Sequence, residues 1–477
     1  MPALLAPKRQ KVARTAILYQ NVERDITLVD IPTSIAVAQV QGDILLSTPP
    51  LEVPILLDDK HVPKTEKAKA KKDEYLSGAK QHMEYKPIIE QALSEIRNHV
   101  SGSWCAPRKL MAQVPRRGES DMEIDDPEKE LESRLREWAA LIGSKGEEEA
   151  FDFQKMMASL GASEPDATST EKVVQKWLMS HGPARDTINI ATRDITSTTE
   201  SESPEEPWTS SFHNPDDHAL DMAVFENSSH SEGSSEEYRF RIPPRATLFL
   251  SDSTHSDAFR ASFREVTDEY KLPRHFDLIL LDPPWPNGSA KRKGAYEQIG
   301  GMPYVTKMLL SMDIDNYLEH NALLGLWITN KESMRERVLG KGGLFESWNV
   351  GLIEEWIWVK TTVNGEPMFD MDSPLRKPYE VLLLGRAAPN SWTTMVHAPS
   401  IKKRVVAAVP DVHSRKPCLK EMLEPYMPEL RDYSALEIFS RYLVAGWTSW
   451  GNEVLKFNWD KYWTSEPGDG HELSASK

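Results

Sequence analysis

Asp282, Pro283, Pro284 and Trp285 follow directly on the apolar run 276–281, and their types suit a specific chemistry. The exocyclic amine of adenine is a poor nucleophile because its lone pair is delocalised into the ring. A carboxylate at Asp282 can accept one of its N–H bonds and the carbonyl of Pro283 the other. Paired prolines restrict the backbone and hold that carbonyl in place. Trp285 offers a flat face to a base, a contact worth about 1–3 kcal/mol in nucleic-acid sites. With both hydrogens held, the lone pair can be aimed at an electrophilic methyl group, so the tetrad suits N-methylation. The plain alternative is an acid that ends a strand, two prolines that stop it, and a tryptophan packed on an edge.

Such a tetrad needs a strand end to carry it. Short apolar runs at 247–250, 276–281, 323–329, 353–360, 380–384, 405–409 and 435–439 read as strands, with stretches of helical length at 304–318 and 331–339 between them. That alternation predicts an α/β domain around a mostly parallel sheet, whose function gathers at the carboxyl ends of the strands. Ten of the 14 tryptophans fall between 239 and 463, which marks the main folded domain. Before it, the chain divides into a basic tail (1–15), a smaller mixed, partly helical accessory domain (16–117), an acidic and partly helical segment (118–195) and a linker expected to be disordered (196–238); a flexible tail (464–477) closes it. Within these, 16–40 reads as strand or turn, 64–96 as one or two helices with a lysine face over 64–72, and 131–141 and 171–178 as helical patches. The linker is rich in Ser, Thr, Glu, Asp, Asn and Pro, too polar to offset its ordering entropy. Whether 16–99 packs on the main domain or swings free is left open.

The 477 residues carry a formal net charge of −16, a balance that taken whole argues against a generic nucleic-acid binder. Its distribution removes that argument. Residues 118–238 hold 9 basic against 29 acidic side chains, a net −20, while 239–463 hold 29 against 28. Cys105 and Cys418 are too few and too far apart for a disulfide framework or a cysteine zinc site, and no other spacing suggests a metal. No run reaches the ~18 apolar residues of a membrane span, so a soluble protein is expected. Lys8, Arg9, Lys11 and Arg14 are compatible with a nuclear import signal, with a mitochondrial presequence as the alternative, or with a solvated basic tail.

The tetrad resembles the signature of the MT-A70 family of S-adenosylmethionine-dependent adenine-N6 methyltransferases. Further blocks support the likeness in order: Trp358-Val359-Lys360, Lys377-Pro378-Tyr379-Glu380, Lys416-Pro417, 436–441 and 446–457, together covering about 247–463. The resemblance implies a Rossmann-like domain in which the amine-binding tetrad precedes the cofactor strand. Where many methyltransferases have a glycine-rich turn, this chain has Phe439-Ser440-Arg441, similar to the family's own variant.

Carried over position by position, the resemblance makes Asp282, Pro283, Pro284 and Trp285 the catalytic tetrad. It places Asp252, Asp282, Lys416, Phe439, Arg441, Asn452 and Glu453 around S-adenosylmethionine, with Lys416 on the methionine carboxylate and Asn452 and Glu453 on the ribose. Each has a plain reading: Arg441 as a surface residue, Asn452 as a turn former, Lys416 as a solvated side chain. Lys291, Arg292 and Lys293 follow the tetrad and are placed to meet nucleic-acid phosphates. The implied substrate is RNA, specifically small nuclear RNA with 2′-O-methyladenosine as target, with DNA adenine as the alternative; the protein is expected to act as a monomer, a hetero-partner left open. A catalytically silent RNA-binding scaffold and a protein-glutamine methyltransferase are the competing readings.

Overall fold

All seven apolar runs form strands in the computed structural model, which describes residues 14–40, 42–56, 79–111, 131, 132, 134–136, 176–183, 211–227, 237–286, 301–373, 376–413, 415–429 and 432–464. In chain order the strands are β1 (Ile17–Gln20), β2 (Ile26–Val29), β3 (Ile44–Leu45), β4 (Lys176–Pro183), β5 (Ser211–His213), β6 (Leu220–Asn227), β7 (Glu237–Ile242), β8 (Thr247–Leu250), β9 (Phe276–Leu281), β10 (Leu318–Ile328), β11 (Val350–Lys360), β12 (Tyr379–Ala387), β13 (Lys402–Ala408), β14 (Ala435–Ile438), β15 (Thr448–Gly451) and β16 (Trp463–Thr464).

Eleven of them make one sheet in the order β1-β2-β13-β11-β12-β10-β9-β14-β15-β8-β5. Six of its ten pairings are parallel, as the alternation of strands and helices predicts. The chain runs from β9 outward to β10 on one side and from β14 outward to β15 on the other. Their adjacent carboxyl ends therefore form a topological switch point, the place where an open α/β sheet leaves a crevice. Helix Ser256–Tyr270 covers one face near this point, stacking Phe259 on Trp450 with ring centroids 3.9 Å apart. Helices Gly301–Ser311 and Glu332–Leu339 follow β9 and β10, close to the stretches expected for them.

The segment from residue 16 onward packs on the main domain. β2 lies parallel to β13 and β1 pairs with β2, so both extend the main sheet. Residues 31–38, expected as strand or turn, are the helix Ile31–Ala38. Asp30 caps it by accepting from the Thr33 backbone N–H at 3.1 Å, and Pro32 sits in its first turn, where its missing N–H costs nothing. Within the expected helical region, Ala79–His99 is helical and buries Tyr85, Ile89, Leu93 and Ile96 on one face. Tyr85 donates at 2.7 Å to the buried carboxylate of Glu355, which also pairs with Arg335.

Two expectations for the middle of the chain need correction. Residues 176–178 are not the end of a helix: they open β4, which pairs with β6 residue for residue from Lys176↔Asn227 to Pro183↔Leu220. The stretch 196–238 is not simply a disordered linker, because β5 adds an edge to the main sheet and β6 forms an antiparallel pair with β7. Leu220, Met222 and Val224 alternate inward on β6 and bury their side chains, a period-2 signal masked by the Ser, Asp and Glu around it. The lysine face at 64–72, residues 1–13 and 465–477, and the whole of 137–175 lie outside the described residues. Among the described residues no helix is long and apolar enough to cross a membrane.

Candidate active site

Asp282 leaves the end of β9 with its N–H directed to the Ile438 carbonyl at the end of β14, 3.3 Å away. It therefore stands at the switch point. Its neighbour Lys416 donates to both carboxylate oxygens, at 2.9 and 2.8 Å, and lies 3.3 Å from Oε2 of Glu380. Oε1 of Glu380 is held in turn by Lys360 at 2.6 Å. The result is one alternating chain of charges, Asp282–Lys416–Glu380–Lys360, that joins the tetrad to three further sequence blocks. Burial alone would raise the Glu380 carboxyl, but Lys360 and Lys416 overcome it and hold that group well below the usual carboxylate range. Burial opposes the charge on Lys416, yet Asp282 and Glu380 outweigh it and raise this ammonium above its ordinary value. Trp327 and Trp358 flank the chain edge to face, with Lys416 5.2 Å from the first ring centroid and Lys360 4.7 Å from the second.

The rest of the tetrad is fixed by its own contacts. Trp285 is only 7% exposed and donates its indole N–H to the Trp327 carbonyl at 2.6 Å. The Pro283 carbonyl accepts the Trp285 backbone N–H at 2.7 Å, which leaves one lone pair for another donor. Pro284 is exposed, and Lys331 reaches the Pro286 carbonyl at 3.2 Å. Lys291, Arg292 and Lys293 fall outside the described residues.

Across the switch point, Phe439 turns the chain with φ of 64°, a left-handed conformation unusual for a bulky residue. The turn lacks its own glycine, and the neighbouring strand supplies one. Gly451 has φ of 153°, and a Cβ there would come within 3.2 Å of the Phe439 Cα. Arg441 donates to Glu453 at 3.1 Å, pinning the turn to the residue after Asn452, which is half-buried. From the acidic segment one helical turn reaches the same place: Leu131 and Leu135 are buried, Arg136 lies 3.3 Å from Glu453, and Glu132 pairs with Lys456.

Asp282, Lys416, Phe439 and Arg441 thus line one cleft at the carboxyl ends of the strands. Asn452 and Glu453 adjoin it. Asp252 does not line it: it follows β8, separated from β9 by β15 and β14, and its carboxylate accepts from the backbone and hydroxyl of Thr254, both at 2.8 Å.

The loop that carries Lys416 is braced from the amino-terminal segment. Arg415 and Asp411 form a fully buried pair at 2.6 Å, Arg415 also donates to the Leu46 carbonyl at 2.9 Å, and Thr48 donates its N–H to Asp411 at 3.0 Å. Ser34 accepts the Cys418 backbone N–H at 2.9 Å. Sequence reasoning missed these braces, together with Lys360, Glu380, Trp327 and Glu437. Lys360 and Glu380 stood inside blocks already singled out, as polar residues near strand termini; Glu437 was visible as a lone acid in the run 435–439.

Glu437 lies on β14 and lines the cleft, and its Oε2 is buried without a hydrogen-bond partner. Burial raises its carboxyl most, Asp282 adds to that, and Lys416 offsets part, leaving it pushed up to about 8.

The sequence profile of the MT-A70 family matches residues 276–453, from the first residue of β9 to the residue that holds Arg441. The chain is 43% identical over 221 residues to the N6-methyladenosine RNA methyltransferase MTA1 of Cryphonectria parasitica, covering 46% of this chain and 61% of that one. It is 36% identical over 225 residues to the human N(6)-adenine-specific methyltransferase METTL4, covering 46% and 44%. To the DNA N6-methyl methyltransferase of Caenorhabditis elegans it is 30% identical over 217 residues, covering 45% and 53%. The matched stretch spans between 44% and 61% of the length of these relatives. The strands that build the cleft thus lie within the stretch, 276–453, that is similar to the MT-A70 family.

Proposed function

We propose that the cleft transfers a methyl group from S-adenosylmethionine to the N6 amine of adenine in nucleic acid. The observation that carries the reading is Asp282 at the switch point, its carboxylate held at both oxygens by Lys416 and its side chain a quarter exposed toward the cleft.

The residues fit such a cofactor. The cleft beside the parallel strand ends contains a lysine, a left-handed turn and, among the described residues, an unpartnered carboxyl oxygen on Glu437. When bound, S-adenosylmethionine supplies an electrophilic methyl group on a sulfonium. Asp282 accepts one N–H of the adenine amine, and the free lone pair of the Pro283 carbonyl accepts the other. Holding both hydrogens orients the amine lone pair, which is the positioning such a reaction needs. All three donors of Lys416 already have acceptors, its longest contact being the 3.3 Å one to Glu380. A methionine carboxylate would take over that contact, leaving Glu380 on Lys360. Arg441 holds Glu453 ready for ribose hydroxyls.

RNA is the favoured substrate, supported by the higher identity to an RNA enzyme than to a DNA enzyme. The family resemblance extends this to small nuclear RNA carrying 2′-O-methyladenosine, with Lys291, Arg292 and Lys293 meeting phosphates, and Lys8, Arg9, Lys11 and Arg14 directing the protein to the nucleus. A silent scaffold would not require the Asp282–Lys416–Glu380–Lys360 chain to be complete, which disfavours that reading. The test is nucleoside mass spectrometry of RNA and DNA incubated with the protein and labelled cofactor. Label in N6-methyladenine, richest when the target is 2′-O-methylated RNA, is expected; label absent from N6 in every nucleic acid would overturn the reading.

A further inference from the structure

Glu437 is an expensive residue in its position. β14 lies between β9 and β15 in the middle of the sheet, and Glu437 registers with Leu280 on one side and Ser449 on the other. Interior parallel strands are ordinarily apolar on both faces, and a buried polar group without a partner costs about 1–3 kcal/mol. Here two such groups share one face: Oε2 of Glu437 and the hydroxyl of Ser449 are both buried with no hydrogen-bond partner. The titratable groups around the carboxyl come from every element packed against it. Asp282 ends β9, Lys416 and Cys418 lie on the braced loop, and Tyr442 follows the Phe439 turn. Lys416, the cation that acts on it among the described residues, is already committed to Asp282 and Glu380.

We propose that Glu437 is the counter-acid of the cofactor cleft, giving up its proton as a cationic cofactor enters and facing the incoming charge as a carboxylate. The inference rests on the S-adenosylmethionine reading above. Its geometric basis is a carboxyl oxygen that belongs to a residue lining the cleft, is sealed from water and bonds nothing among the described residues. Near neutral pH the neutral acid spares the sheet an unpaired charge beside Asp282. S-adenosylmethionine carries a sulfonium and an ammonium against one carboxylate, a net positive charge. A cation within about 4–6 Å of a carboxyl favours its ionised form. Cofactor binding and proton release are therefore linked, and the proton goes to the buffer.

The test is calorimetry of S-adenosylmethionine binding to the full chain, repeated at pH 7 in buffers of different ionisation enthalpy. The slope of observed enthalpy against buffer enthalpy should report release approaching one proton per cofactor, fading to none as the pH is raised well past 8. Affinity should rise with pH by up to about tenfold per unit below 8 and level off above it. Glu437→Gln, which keeps the shape of the neutral acid, should abolish both the release and the pH dependence and weaken binding at high pH about tenfold. Saturable binding by the wild type without proton release, or the same release from the variant, would overturn the proposal while leaving the cofactor reading intact. Failure of the wild type to bind S-adenosylmethionine at any pH would overturn the cofactor reading itself. The wild-type buffer series decides the matter even if the variant folds poorly.

Discussion

At the end of β9 every charge of the Asp282–Lys416–Glu380–Lys360 chain has a partner inside the protein: Asp282 on Lys416, Lys416 on Glu380, Glu380 on Lys360. One strand away, β14 buries the Glu437 Oε2 without a partner, and its turn holds Phe439 in a left-handed conformation. The first side is complete without a ligand, the kind of rigid frame that the proposed function needs to position a nucleophile. The second carries unsatisfied and strained groups, the features a bound cofactor could relieve. The difference suggests a division of labour, with the substrate amine handled by preorganised charge and the cofactor by a side that is finished only on binding.

The comparison can be broken most forcefully at its paired side. Lys416→Met removes the cation that Asp282 and Glu380 share, so methyl transfer should vanish and denaturant unfolding should show a loss of about 3–5 kcal/mol. A variant that lost transfer but kept full stability would mean that Lys416 is not the structural pivot of the charge chain.

On the unpaired side, stability itself should depend on pH through Glu437. The unfolded chain ionises this carboxyl near its ordinary value of 4.5, the folded protein near about 8. Between those values the folded state holds the extra proton, so wild-type stability falls as pH rises and the loss is complete above about 8. Glu437→Gln carries no such dependence. Its advantage over the wild type in melting experiments without cofactor should grow from pH 5 to 8, by at most about 1.4 kcal/mol per unit, then stay constant. A pH-independent difference would contradict the assignment.

Gly451→Ala sharpens the comparison at the turn. The added methyl meets the Phe439 Cα, and the backbone conformation at 451 is one that alanine adopts with strain, so a cost of about 1–3 kcal/mol is expected together with weaker cofactor binding. Unchanged binding would show that the turn does not shape the cofactor side. The smallest effect is expected at Ser34→Ala, which removes the acceptor of the Cys418 N–H and should cost about 1 kcal/mol. Its signature is a raised cofactor KM with kcat nearly unchanged, because the loop that carries Lys416 loosens while Asp282 stays in place.

Much of this arrangement is legible in the chain. Apolar runs such as 276–281 and 435–439 are long enough and flanked sharply enough to read as strands, and the tetrad at the end of one of them locates the switch point. What resists reading is long-range. Asp411 and Arg415 look like ordinary loop charges until Leu46 and Thr48, more than 350 residues earlier, close on them. Residues 31–38 read as strand material because Pro32 suggests a break, whereas an Asp30 cap makes proline a helix opener. Leu220, Met222 and Val224 lie in a polar stretch whose composition outweighs their alternation. Lys360 and Glu380 fall 20 residues apart, and only the antiparallel pairing of β11 with β12, which sets Trp358 opposite Glu380, brings them together.

The central claim is that Asp282 orients an adenine amine on a frame that already exists before the substrate arrives. Single-turnover transfer of labelled methyl to adenine N6 in a short RNA, measured for the wild type and Asp282→Asn with cofactor affinity determined in parallel, tests it most directly. The variant should still bind S-adenosylmethionine and lose transfer by about 10²–10³-fold, the range for removing one preorganised electrostatic contact to a reacting group. Transfer to N6 at the wild-type rate by Asp282→Asn would contradict it.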